Sequence, residues 1–112
     1  MPGFGDPFTG LSLDRPLSKE ELIRSVRFMI AAEFEAIEMY TRVAEATSDE
    51  KIKKLILDIA DEEKVHVGEF GEILLTLDPK EKEHIEEGLN EAKDILKKSS
   101  LADKIRNLGS SL

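Results

Sequence analysis

The stretch IADEEKVHVGEF, residues 59–70, decides the fold of this chain, because it places two polar residues inside an apolar helical pattern. Four of its residues repeat at steps of four, three and four: Ile59, Glu63, His66 and Phe70. This is the spacing of residues on one face of an α-helix. A carboxylate or an imidazole on such a face needs a partner, and a metal ion suits both.

The same pattern extends in both directions and predicts a helix from about Asp49 to Leu77. Thr47, Ser48 and Asp49 are alternative N-caps for it. The predicted apolar face consists of Ile52, Ile56, Ile59, Glu63, His66, Phe70, Ile73 and Leu77.

A second helical pattern precedes this one. Ser18 and Glu21 form a capping box, and no Gly or Pro interrupts the chain from there to Ala46. Its stripe consists of Val26, Ile30, Glu33, Ile37, Tyr40 and Ala44. Glu33 breaks the apolar character of this stripe, as Glu63 and His66 break that of the next.

The turn between the two helices brings these three residues to one level. Glu33 lies about fifteen residues before the turn and Glu63 about fifteen after it, so each is roughly 22 Å away. Antiparallel packing then places them side by side. A hydrogen-bonded trio that fixes register is the alternative to a metal site. Metal is favoured, because two carboxylates and one imidazole with no Lys or Arg in either stripe leave excess negative charge.

Composition limits the partners and the chemistry. The chain has 112 residues, 40% of them hydrophobic, which is enough for one small domain. Its net charge of -8 argues against nucleic-acid and membrane partners and favours cations. The absence of cysteine excludes disulfides and sulfur-ligated metals from these residues. With no membrane span or secretion pattern, a cytoplasmic location is expected.

Outside the hairpin the pattern is weaker. Residues 1–17 are predicted to form an extended arm, 18–97 a helical domain, and 98–112 a flexible tail or linker. Asp78 and Pro79 begin a third, shorter helix, because Pro suits the first helical position. Its narrow apolar face consists of Ile85, Leu89, Ala92 and Leu96. The predicted fold is therefore all-α, an antiparallel two-helix hairpin followed by a shorter C-terminal helix.

The ligand count predicts half of a site in each chain. Glu81 and His84 repeat the Glu-x-x-His spacing, but they lie at the start of the third helix, far in height from His66, and cannot complete the site. Carboxylates with imidazole suit iron or manganese, and zinc stays open. Four-helix di-iron sites use four carboxylates and two histidines. Two copies of Glu33, Glu63 and His66 supply that set at a homodimer interface.

Two segments that contain these residues, EFEAIEMY at 33–40 and DEEKVH at 61–66, resemble the motifs of the encapsulated ferritins, which are cargo of encapsulin shells. The resemblance covers about Leu17 to Leu96, and residues 58–70 are most similar to the forms fused to the shell protein. It implies a ferritin-like four-helix bundle formed only on dimerisation. It also implies a ferroxidase that oxidises Fe(II) to Fe(III) with O2, for mineral storage inside the shell.

The resemblance carries Glu33, Glu63 and His66 over as catalytic metal ligands, and Glu35 as an acid on the path by which iron enters. Tyr40, on the same stripe as Glu33, is either a redox partner or a core aromatic. Glu62 is either a carboxylate that steers cations toward the site or part of a solvated face.

The implied cofactor is iron, two ions per dimer interface, with zinc, manganese or calcium as substitutes. The implied assembly is a ring of dimers, a decamer, inside an encapsulin nanocompartment, with residues 98–112 as a candidate shell-docking segment. Two other functions stay open: a non-enzymatic helical oligomer held together by metal, and a peroxide-reducing di-iron protein of rubrerythrin type. The second is disfavoured because no cysteine-ligated iron domain is present and each chain holds half a site.

Overall fold

The structure, a computed structural model, describes residues 14–110, except for the side chains of residues 99–103 and 109–110. Within these residues the chain forms helices and no strand, so the all-α prediction is confirmed. The helices are α1 (Lys19–Ala46), α2 (Glu50–Leu77) and α3 (Pro79–Ser110). None of the helices in this part of the chain carries an apolar segment that could cross a membrane.

The start of α1 is held by the predicted capping box. The Glu21 backbone N–H donates to the Ser18 hydroxyl at 3.2 Å, and the Ser18 N–H donates to Glu21 Oε1 at 3.0 Å. Arg15 Nη1 donates to the same carboxylate oxygen at 2.6 Å. These donors, the Arg15 guanidinium first, lower the pKa of Glu21 to about 2. Most of the predicted arm, residues 1–13, lies outside the described residues.

The turn between α1 and α2 is short, so the two helices pack antiparallel. Of the three predicted N-caps for α2, the structure selects Asp49, whose side chain accepts from the backbone N–H groups of Lys51 and Ile52. Thr47 is instead the C-cap of α1, and its N–H donates to Ala44 at 3.1 Å.

The hairpin core lies along one seam between the two helices. On α1 the buried residues Val26 and Ala44 belong to the predicted stripe. On α2 the prediction was partly right. Four members of the predicted stripe are half-buried, namely Ile56, Glu63, Phe70 and Leu77, and four are exposed, namely Ile52, Ile59, His66 and Ile73. The buried residues Ala60 and Leu74 were not predicted. One residue rotates a helix by about 100°. The side of α2 that packs against α1 is therefore rotated from the centre of the predicted stripe towards Ala60 and Leu74.

The third helix is longer than predicted. It has 32 residues, against 28 in each hairpin helix, so the prediction of a shorter helix was wrong. It starts at Pro79 as predicted and continues past Lys98, so the predicted tail 98–112 is helical as far as Ser110. Helix-forming and apolar residues in residues 101–108 outweigh the modest cost of the serines before them. Contacts divide the chain after Asp78 into the hairpin unit and the α3 unit.

Candidate metal centre

The lengths of the hairpin helices align the three polar residues. Glu33 lies thirteen residues before the end of α1 at Ala46, and Glu63 lies thirteen residues after the start of α2 at Glu50. At 1.5 Å per residue, each carboxylate is about 20 Å from the turn. His66 follows Glu63 by three residues and shares its side of α2.

The three side chains form a compact cluster, which we call the trio: Glu33, Glu63 and His66. Each offers one ligand atom, and these atoms lie within 4.8 Å of one another. His66 Nδ1 is 3.3 Å from Glu63 Oε2 and 3.9 Å from Glu33 Oε2. The structure therefore brings together the three residues that the sequence predicted as ligands.

Burial within the trio is uneven. The Glu33 and Glu63 side chains are each 19% exposed, whereas the His66 side chain is 48% exposed. Glu33 Oε2 is buried and has no hydrogen-bond partner among the residues that the structure describes. Because an unpartnered buried carboxylate oxygen is costly, a bound cation would relieve this cost. Two carboxylates and one imidazole are a ligand set that fits iron or manganese.

The other candidate residues lie outside the trio. Glu35 is two residues from Glu33 and so lies on another side of α1, where its Oε1 is buried without a hydrogen-bond partner among the described residues. Tyr40 is half-buried and Glu62 is exposed. Glu81 and His84 lie in α3 and, in the described part of the chain, join no group of three potential ligands.

The trio borders an exposed apolar surface that was not predicted from the sequence. Residues seven positions apart lie on one face of a helix, and His66 continues a strict series of this kind on α2. Exposed apolar residues also lie four before Glu33 and further along the same side of α1. We call this surface the open face: Ile52, Ile59, His66 and Ile73 on α2, with Met29, Ala32, Ala36, Met39 and Val43 on α1. All of these residues are exposed except Ala36, which is half-buried.

Two apolar sides of α2 can be distinguished in the sequence. The series at 52, 59, 66 and 73 repeats every seven residues, whereas the buried seam runs through Ala60 and Leu74. A single amphipathic helix needs one apolar side, so two adjacent apolar sides on α2 are a signal of two packing partners. Ala60, the small buried residue of α2, weakened that signal.

Comparisons with known proteins identify relatives of this chain in sequence and in fold. The family model described as Rubrerythrin matches residues 26–111. The chain is 42% identical over 87 residues to the ferritin-like-encapsulin shell fusion protein of Pyrococcus furiosus, covering 78% of this chain and 25% of that protein. It is 36% identical over 84 residues to the encapsulin nanocompartment cargo protein EncC of Myxococcus xanthus, covering 75% of this chain and 64% of that protein.

The chain thus spans a quarter of the first relative and less than two thirds of the second. A solved structure gives fuller coverage. The crystal structure of the encapsulated ferritin domain from Pyrococcus furiosus superposes with a TM-score of 0.71 at 41% identity, over 82% of this chain and 94% of that one. With its ferritin-like helices and a rubrerythrin-type sequence, this chain belongs to the encapsulated ferritin family.

Proposed function

We propose that this protein is a ferroxidase that oxidises Fe(II) to Fe(III) with O2 at a di-iron site between two copies of the chain. The observation that supports it is the trio, in which a buried, unpartnered Glu33 oxygen faces His66 at the border of an exposed apolar surface. Iron is the substrate in this proposal. The trio is the part of the chain that binds it.

The ligand count requires two copies. A four-helix di-iron site uses four carboxylates and two histidines, and one chain contributes half of that set. The open face supplies the apolar area that a second hairpin would bury. A twofold axis at the level of the trio would join both halves of the site and cover both open faces.

The carboxylates and the imidazole have different tasks in the reaction. The Glu33 and Glu63 carboxylates offset the charge of two closely spaced iron ions, and this offset favours the more highly charged Fe(III) product. His66 would bind through the unprotonated nitrogen of its neutral ring, so iron competes with a proton for that nitrogen. A pair of Fe(II) ions gives up two electrons, which reduce O2, with two protons, to hydrogen peroxide.

The relatives suggest where the product goes. One is named as a fusion to an encapsulin shell and the other as an encapsulin cargo protein. We therefore propose that this chain works inside an encapsulin compartment of the cytoplasm, as a ring of dimers, and that Fe(III) is mineralised in that compartment. Glu35 is proposed to lie on the path by which iron enters.

Iron oxidation by the purified protein tests the enzyme. Fe(II) is added in air, and the absorbance of Fe(III) and the consumption of O2 are followed together. We expect wild-type protein to exceed buffer and Glu63→Ala to fall to the buffer rate. Glu72→Ala is the matched control, because it removes an exposed carboxylate of the same helix that lies away from the trio and should keep the activity. A wild-type rate equal to buffer would reject the ferroxidase.

Two other functions are separated by related measurements. The match to the Rubrerythrin model favours peroxide reduction as the second candidate, and a faster reaction of the Fe(II)-loaded protein with H2O2 than with O2 would support it. A protein that merely uses metal to hold its subunits together would gain mass on adding Fe(II) and lose it with a chelator, without consuming O2 above buffer.

A further inference from the structure

The third helix carries an apolar stripe that is exposed in a single chain. Its members repeat at steps of four, three and four: Ile85, Leu89, Ala92 and Leu96. Leu89 is 54% exposed and Leu96 is 69% exposed. A regular apolar stripe of this spacing is the seam by which one helix packs along another.

The charges of α3 indicate the direction of that second helix. Residues 79–92 contain five glutamates and two lysines, a net charge of -3, whereas residues 93–110 contain five basic and two acidic residues, a net charge of +3. Two copies of α3 in antiparallel orientation bring opposite charges together, and parallel copies bring like charges together. Negative charge at the start of a helix and positive charge at its end also interact favourably with the helix dipole, so the gradient alone does not prove pairing. The residues beside the apolar stripe provide a more specific test of the direction of the partner helix.

Two charged residues flank the stripe on one edge. Glu86 follows Ile85, and Lys93 follows Ala92 seven residues later. When Leu89 lies opposite Ala92 of a second, antiparallel copy, Glu86 lies beside Lys93 of that copy, and the symmetry repeats the pair. Parallel packing would instead set Glu86 beside Glu81 of the second copy. Neither Glu86 nor Lys93 has an ion-pair partner among the described residues of its own chain.

The other edge of the stripe is complementary in size. Ile95 is 64% exposed, and a Cβ built on Gly88 would meet nothing within 4 Å. In the antiparallel arrangement Ile95 of one copy lies against Gly88 of the other. Gly88 lowers the stability of the helix by about 1 kcal/mol relative to alanine, but it leaves space for the Ile95 side chain of the second copy.

We propose that α3 pairs with α3 of a second copy as an antiparallel two-helix coil, aligned by two Glu86–Lys93 ion pairs. The interface needs no metal, because the trio lies in the hairpin. It does not depend on the proposed ferroxidase. A chain with two different self-complementary surfaces, α3 and the open face, can link dimers into a larger closed assembly.

Charge exchange in the full-length chain tests this interface. Self-association is measured by sedimentation velocity in chelator at low salt. Lys93→Glu and Glu86→Lys should each weaken association about tenfold, because attractive pairs become repulsive ones. The double variant, Glu86→Lys with Lys93→Glu, should return to within about threefold of wild type. A monomeric wild type, or a double variant no better than either single one, would overturn the proposal.

Cross-linking tests the direction independently and needs no change in affinity. Because the chain lacks cysteine, Leu89→Cys and Ala92→Cys variants each carry one thiol. After mixing and mild oxidation, disulfides between Cys at position 89 and Cys at position 92 should exceed those between identical positions. A predominance of disulfides between identical positions would mean parallel helices and would reject the antiparallel coil.

Discussion

The hairpin and α3 both have apolar residues at helical spacing, but these residues are buried in the hairpin and exposed in α3. The hairpin turns apolar residues inward and buries Val26, Ala44, Ala60 and Leu74. In α3 every residue whose side chain is described is exposed, except the half-buried Glu81. A helical apolar stripe therefore predicts that a helix will pack, but it does not say whether the partner belongs to the same chain.

The largest expected effect is on the hairpin core. Leu74→Ala should lower the free energy of unfolding by about 3 kcal/mol, because it opens a cavity at a buried site. Urea denaturation in the presence of chelator measures it. Leu89→Ala, the same substitution on the exposed stripe of α3, is the control and should change the stability of the dilute chain by less than about 0.5 kcal/mol. Equal losses in the two variants would contradict the contrast between the two regions.

The second prediction concerns the first turn of α1, which is held by side chains, whereas α3 begins with Pro79. The folded pKa of Glu21, about 2, lies below its ordinary value of 4.5, so its ionised form favours the fold. This contribution is complete above about pH 4.5 and is lost as the pH falls towards 2. Glu21→Gln should therefore be less stable than wild type at pH 7 and nearly equal to it near pH 2.

Thermal unfolding across this pH range measures the effect of Glu21. Glu20→Gln is the matched control, because Glu20 is the exposed neighbour in the same turn. It should run parallel to wild type throughout. A constant difference between Glu21→Gln and wild type at every pH would mean that shape, not charge, holds this turn.

The smallest expected effect is at an exposed ion pair of the hairpin. Lys64 Nζ lies 3.0 Å from Asp61 Oδ1, and both side chains are more than half exposed. Lys64→Ala should change stability by less than about 0.5 kcal/mol and leave self-association unchanged. Urea denaturation and sedimentation measure the two quantities. A loss of association as large as that of Lys93→Glu would show that general surface charge, rather than a specific α3 pair, drives assembly.

Helix starts were predictable because capping is local. Ser18 with Glu21, Asp49, and Pro79 mark the three starts, and each acts through neighbours within one turn. The end of α3 was not predictable in the same way. Ser99 and Ser100 lower helix propensity without stopping a helix, and the cost of such residues is under about 1 kcal/mol each.

The trio was predictable because its level follows from counting residues along two helices. The buried seam and the open face beside the trio were not predictable. An apolar stripe with steps of three and four has two edges, and the sequence does not show which edge packs against α1. Ala60, the residue that decides this on α2, is small and gave little apolar signal. The roles of Glu35 and Tyr40 remain predictions.

The equal distance of Glu33 and Glu63 from the turn has a consequence for folding accuracy. If α2 slid along α1 by one helical turn, about 5.4 Å, Glu63 and His66 would leave Glu33 and no three ligands would meet. Apolar side chains of similar size could still pack in the shifted hairpin, so packing alone discriminates weakly between the two. If the trio binds metal as proposed, the metal would stabilise the aligned hairpin and not the shifted one, so metal binding would select the correct register.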